Sequence, residues 1–97
     1  MLAIRRLILD AWNVAHIARH AVTPEEVEEI CQADPQTEEA KKGRLRVTGD
    51  TTTGRIISAF LDPELEAGVY YAVTARDASK KERQAYQEWV NGKEQAA

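Results

Sequence analysis

The residues best suited to chemistry crowd one short stretch near the C-terminal end: Arg76, Glu82, Arg83 and Tyr86, within Ala75-Arg76-Asp77-Ala78-Ser79-Lys80-Lys81-Glu82-Arg83-Gln84-Ala85-Tyr86. Two guanidiniums flanked by a carboxylate and a phenol suit an anionic ligand such as phosphate, because their paired donors match its oxygens. Arg76 is expected at the end of a strand, with Tyr71, Val73 and Ala75 on one face and Tyr70, Ala72, Thr74 and Arg76 on the other. Ser79-x-x-Glu82 is a capping-box pattern, so a helix begins at once, and its free N–H groups also attract an anion. So short a turn would bring Arg76 and Arg83 to one solvent pocket.

Further candidates lie upstream. Arg44 and Arg46 alternate with Leu45 and Val47 and so share one face of a strand, while Arg55 adjoins the next strand. All three are candidate phosphate contacts, with a plain solvated sheet face as the alternative. His16 and His20 are four residues apart, on one face of a helix. That spacing can hold a transition metal, but no second His/Cys cluster completes a ligand set, so neither a metal nor another cofactor is expected. His20 can instead move a proton near neutral pH, or simply sit at a helix C-terminus where positive charge is favoured. Gly49-x-x-x-x-Gly54 lacks the Lys-Ser/Thr of a phosphate loop and reads as a hairpin connection.

These residues need a scaffold, and 97 residues with 43% apolar content suffice for one modest core. The expected domain spans 1–92, with 93–97 as a frayed tail. Net charge is −3, which argues against a nucleic-acid binder until its distribution is considered. Residues 22–40 carry seven carboxylates and no Lys or Arg, leaving the segments on either side slightly basic. The single cysteine, Cys31, reads as a buried thiol in a reducing compartment. The N-terminal segment has no long apolar run, so neither a signal peptide nor a membrane span is expected, and a cytoplasmic protein is.

An α+β architecture follows from the changes of period. Arg6 to Asp10 reads as a short strand, and Asn13 as the cap of a helix over Val14 to His20. Thr23, Pro24 and Glu26 mark the next helix, with Val22 stapled to Val27 and Asp34-Pro35 as its end. Residues 35–43 read as a polar connection. Arg44 to Thr48, Arg55 to Leu61 and Val69 to Ala75 form an antiparallel meander, with the nearly continuous apolar run Ile56 to Leu61 as its central strand. A last helix from Lys80 to about Val90 packs on the sheet, with Asn91-Gly92 as its stop.

Together these residues resemble the BrnT family of bacterial toxins. The matching features are Trp12-Asn13, Arg19-His20-Ala21-Val22 with Glu26, Gly43-Arg44, Ala75-Arg76, and Glu82-Arg83 with Tyr86. Ala21 stands where the family pattern has Gly. The resemblance implies a RelE-like ribonuclease fold and metal-independent RNA cleavage that arrests translation. It also implies neutralisation by a ribbon-helix-helix antitoxin, BrnA, with operator DNA bound only through that antitoxin. Such cleavage needs a base near the 2′-hydroxyl, cations on the phosphate and an acid for the leaving group. On that reading His20 or Glu82 moves protons, Arg44, Arg76 and Arg83 hold the phosphate, and Arg46, Arg55 and Tyr86 extend the RNA surface. The alternative is a catalytically weak or inactive relative that serves as a binding subunit in a regulatory complex.

Overall fold

A computed structural model describes residues 4–96. Met1 to Ala3, at the start of the expected domain, and Ala97, at the end of the expected tail, lie outside the described residues. The described residues form an α+β domain with a five-stranded mixed sheet and three α-helices. The strands are β1 (Arg6–Ile8), β2 (Gln36–Glu39), β3 (Leu45–Asp50), β4 (Ile56–Pro63) and β5 (Val69–Asp77). The helices are α1 (Ala11–Ala18), α2 (Pro24–Gln32) and α3 (Lys80–Ala96). Strand order is β1-β5-β4-β3-β2, with β1 parallel to β5 and every other pair antiparallel. The apolar run therefore does form the central strand.

The sheet has two unlike faces. Leu45 and Val47 on β3, Ile57, Ala59 and Leu61 on β4, and Tyr70, Ala72 and Ala75 on β5 form the core with Ile17 of α1, Val22, and Val27 and Ile30 of α2. The opposite face carries Arg46, Thr48, Ser58, Phe60, Thr74 and Arg76, as period-2 alternation requires. A bulge between Phe60 and Leu61 breaks that period on β5, so Ala72 and Ala75 both face the core. The alternation expected from sequence thus holds from Thr74 to Arg76 but fails across the bulge, where Tyr70 and Ala72 join Ala75 on the core face instead of lying with Thr74 and Arg76. Gly49 admits α2: a Cβ there would come within 3.1 Å of the Ile30 Cβ.

Thr23, Pro24 and Glu26 cap α2 as expected, through the reciprocal Thr23–Glu26 capping box. The cap of α1 is different: Asp10 is the N-cap and Asn13 its partner three residues on. Asn13 is fully buried and donates from Nδ2 to the carbonyl of Ile8, which ties α1 to β1. Residues 36–39 are not loop but an edge strand, because their backbone pairs with β3 despite a polar composition. Helix α3 continues through Asn91 and Gly92 to Ala96, so residues 93–96 are helical rather than frayed. Lys93 secures this end by pairing with Asp34 and lying over the Trp89 ring. Among the described residues no helix is long and apolar enough to cross a membrane.

Candidate functional site

The polar face of the sheet gathers its chemistry around Glu82. The Ser79–Glu82 capping box that starts α3 turns this side chain back toward the sheet, where its carboxylate accepts from the Ser79 N–H at 2.9 Å. Arg76, at the end of β5, grips the same carboxylate in a fork, Nη1 at 2.8 Å and Nη2 at 3.0 Å. Ser58, from the middle of β4, donates its hydroxyl at 2.9 Å, and Thr48 meets that hydroxyl at 2.9 Å from β3. Four donors thus converge on one carboxylate whose side chain is only 11% exposed. The Arg76 bond above all, against the opposing effect of burial, holds Glu82 down to about 2, with Ser79 and Ser58 reinforcing it. Glu82 also raises the pKa of Arg76, so the pair stays ionised across the physiological range.

Around this pair lies an open cavity of about 350 Å³, walled by Glu39, Ala40, Lys41, Arg44, Arg46, Phe60, Arg76 and Glu82. Arg76 also lies 5.1 Å from the centroid of the Phe60 ring, a cation–π contact that fixes its guanidinium from below. Arg46 pairs with Glu38 and stands 3.9 Å from Glu82, while its Nε is buried without a hydrogen-bond partner. Arg44 bonds Asp62 through Nε at 3.0 Å. Lys41 opens the tight turn Lys41–Gly43, in which Lys42 and Gly43 adopt positive φ of 63° and 75° and fold the chain back at the cavity rim. Four cations and two carboxylates line one depression, and Asp62 and Glu38 pair with two of its arginines, so the site is a charged network in which each arginine is held by a carboxylate.

The structure brings together only part of the set expected from sequence. Arg44, Arg46, Arg76 and Glu82 share the cavity. Tyr86 is not in the cavity: it is buried beside Trp89 and its hydroxyl donates to Asp50, and burial followed by Asp50 pushes its pKa up to about 12. Arg83 does not join Arg76, because the residue after Glu82 in a helix points roughly 100° away from it; its side chain is exposed. Arg55 is engaged elsewhere, donating to the Ala21 carbonyl, both Glu26 oxygens and Asp77, and so bracing the α1–α2 turn against the end of β5.

His20 is the main correction. It follows α1, which packs on the apolar face of the sheet, while Arg76 and Glu82 occupy the other face. Its ring meets His16 edge-on at 5.9 Å, and His16 stacks on Trp12 at 5.2 Å. His20 does not line the cavity and its ring packs against His16, so the structure does not join His20 with Arg76 in one site. The helix expected through His20 ends at Ala18, so His20 lies in the turn beyond it, and although the two rings still meet, the spacing carried no information about which sheet face α1 would cover. Conversely, Ser58, Phe60 and Lys41 belong to the site and were missed. Ser58 had a legible signal, as the one hydroxyl in the run Ile56 to Leu61.

Cys31 is partly buried, and burial first, then Glu28, pushes its thiol up to about 12. Among the described residues no group of three or more His, Cys, Asp or Glu could hold a metal ion. No protein-family model matches this chain, and no curated protein matches it.

Proposed function

We propose that this chain is a RelE-like ribonuclease toxin of the BrnT type, with the cavity around Arg76 as its RNA-phosphate site. The observation that carries the reading is the Arg76–Glu82 fork, set in an open depression that also holds Lys41, Arg44 and Arg46. In-line cleavage forms a bond from the 2′-oxygen to phosphorus and breaks the bond to the 5′-oxygen, with the 2′-hydroxyl proton passing to water and the 5′-oxygen taking one from water, leaving a 2′,3′-cyclic phosphate and a 5′-hydroxyl. Negative charge grows on the phosphate oxygens, and preorganised cations lower that barrier. Arg76, locked by Glu82 and Phe60, supplies the fixed donor, and Lys41 and Arg44 supply adjustable charge at the rim. Glu82 is a positioning residue here, since a carboxylate held at about 2 is a poor general base. A ribbon-helix-helix antitoxin of the BrnA type would silence the site, and the pair would act in the cytoplasm.

A second reading, a binding subunit without cleavage, is favoured by one specific observation. Arg76 and Glu82 satisfy each other, and neither Glu82 nor Tyr86 titrates near neutral pH. The test is incubation of the purified chain with single-stranded RNA, scored for cyclic-phosphate ends, beside expression of the chain alone in a bacterium. Arg76→Ala is expected to slow cleavage about a hundredfold or more. RNA binding that needs Arg76 but yields no cleavage would establish the binding subunit instead. Neither binding nor cleavage would overturn both.

A further inference from the structure

Helix α1 leaves an unusual surface uncovered. Its eight residues, Ala11-Trp12-Asn13-Val14-Ala15-His16-Ile17-Ala18, contain no Asp, Glu, Lys or Arg, and the side turned away from the core is still apolar and aromatic. Trp12 is 61% exposed, although indoles are ordinarily well buried. It is also held in place: the His16 ring lies parallel to it, 6° between planes, and His20 meets His16 edge-on. A stacked neighbour on one side restricts the indole and leaves its other side to solvent. Beside it runs a trough of about 450 Å³, lined by Ala11, Trp12, Ala15, His16 and Arg19.

We infer that this trough is a second single-stranded RNA contact, in which an unpaired base stacks on Trp12 and Arg19 takes a neighbouring phosphate. The surface offers a preorganised aromatic plane next to a guanidinium, the combination by which single strands are bound without reading their sequence. The trough lining carries the Arg19 guanidinium and no carboxylate, which complements an anionic occupant. A protein partner fits less well, because a helix of eight residues is only about 12 Å long. A standard protein interface needs about 800 Å² on each side. The inference shares its ligand class with the ribonuclease reading, but the two sites lie on opposite sides of the sheet and can fail separately.

The experiment uses the full chain and a short oligouridine with 2′-O-methyl sugars, which cannot be cleaved. Quenching of tryptophan fluorescence is followed in the wild type and in Trp12→Phe, so that the difference reports Trp12 rather than Trp89. Wild-type protein should show saturable quenching that Trp12→Phe largely lacks, and Arg76→Ala should retain it. Trp12→Ala should weaken binding by roughly tenfold. An abasic strand with the same phosphates should bind without quenching. Thermal melts of both Trp12 variants check that the fold is kept, as expected for an exposed side chain. Equal affinity in Trp12→Ala, equal quenching by the abasic strand, or quenching that depends only on protein concentration would overturn the proposal. Cleavage activity with no Trp12 contribution would refute this inference and leave the ribonuclease reading standing.

Discussion

The two faces of the sheet solve opposite problems with neighbouring residues of the same strands. On one face Val47, Ile57 and Ala59 are wholly buried beneath α1 and α2. On the other, one position along, Thr48 and Ser58 are equally buried, yet the layer above them is a carboxylate and two arginines. The apolar face is held mainly by area removed from water, a non-directional effect, and its buried polar group Asn13 is satisfied by the Ile8 carbonyl. The polar face is held by directed bonds, and a buried donor left alone, as Arg46 Nε is, costs about 1–3 kcal/mol. The lesson is that burial alone does not distinguish core from site in this domain; what Ser58 and Ile57 touch does.

The sharpest way to separate the faces is to remove one side chain from each. Ile57→Ala leaves a cavity against α2 and β3 and should cost about 3 kcal/mol in denaturant unfolding. Leu65→Ala, at a fully exposed loop position, should change stability by less than about 0.5 kcal/mol and serves as its control.

On the polar face the informative change is Glu82→Gln, which keeps shape but removes charge. Arg76, Ser58 and Ser79 would then share a weaker acceptor, and stability should fall by about 1.5–3 kcal/mol at neutral pH. The pH dependence gives the mechanism. Glu82 has its pKa lowered from 4.5 to about 2, so its stabilisation is complete above pH 4.5 and is lost as pH falls toward 2. Acid titration of the melting temperature should therefore be steeper in the wild type than in Glu82→Gln over that window. Parallel curves would mean that Glu82 does not anchor this face.

A smaller effect tests the joint between α1 and α2. The chain closes α1 with the Val22 N–H on the Ile17 carbonyl at 3.2 Å and the Ala21 N–H on Ala18 at 3.0 Å, the paired bonds of a Schellman ending. That ending requires a left-handed residue, and Ala21 sits at φ 57°. Ala21→Gly should relieve the Cβ clash and raise stability by about 1 kcal/mol, visible as a higher midpoint in urea.

What was legible in the sequence follows the same division. The helix starts at Thr23 and Ser79 and the central strand Ile56 to Leu61 could be read because capping boxes and apolar runs are local signals. The edge strand Gln36–Glu39 could not, since its residues are polar and only the partner backbone of β3 makes it a strand. Within the site, Arg76 and Glu82 were readable as a strand end followed six residues later by a capping glutamate. Their true relation, a fork rather than two free ligands, depends on the close fit of α3 over Ser58. Arg55 illustrates the limit: its charge was visible, but not that Glu26 and Asp77 would converge on it from two other elements.

The last prediction is an absence of effect, and it tests which face owns the chemistry. If cleavage occurs at the Arg76 cavity, His20→Ala should leave turnover at saturating RNA unchanged, because α1 lies across the sheet from that cavity. The pH profile supplies an independent check. Glu82 at about 2 and Tyr86 at about 12 both stay in one protonation state between pH 5 and 8, so neither can bend the rate there. A bell-shaped profile in that range, abolished by His20→Ala, would require proton transfer on the helical side of the sheet. It would move the reaction to the Trp12–His16–His20 surface and reduce the Arg76–Glu82 fork to a structural ion pair.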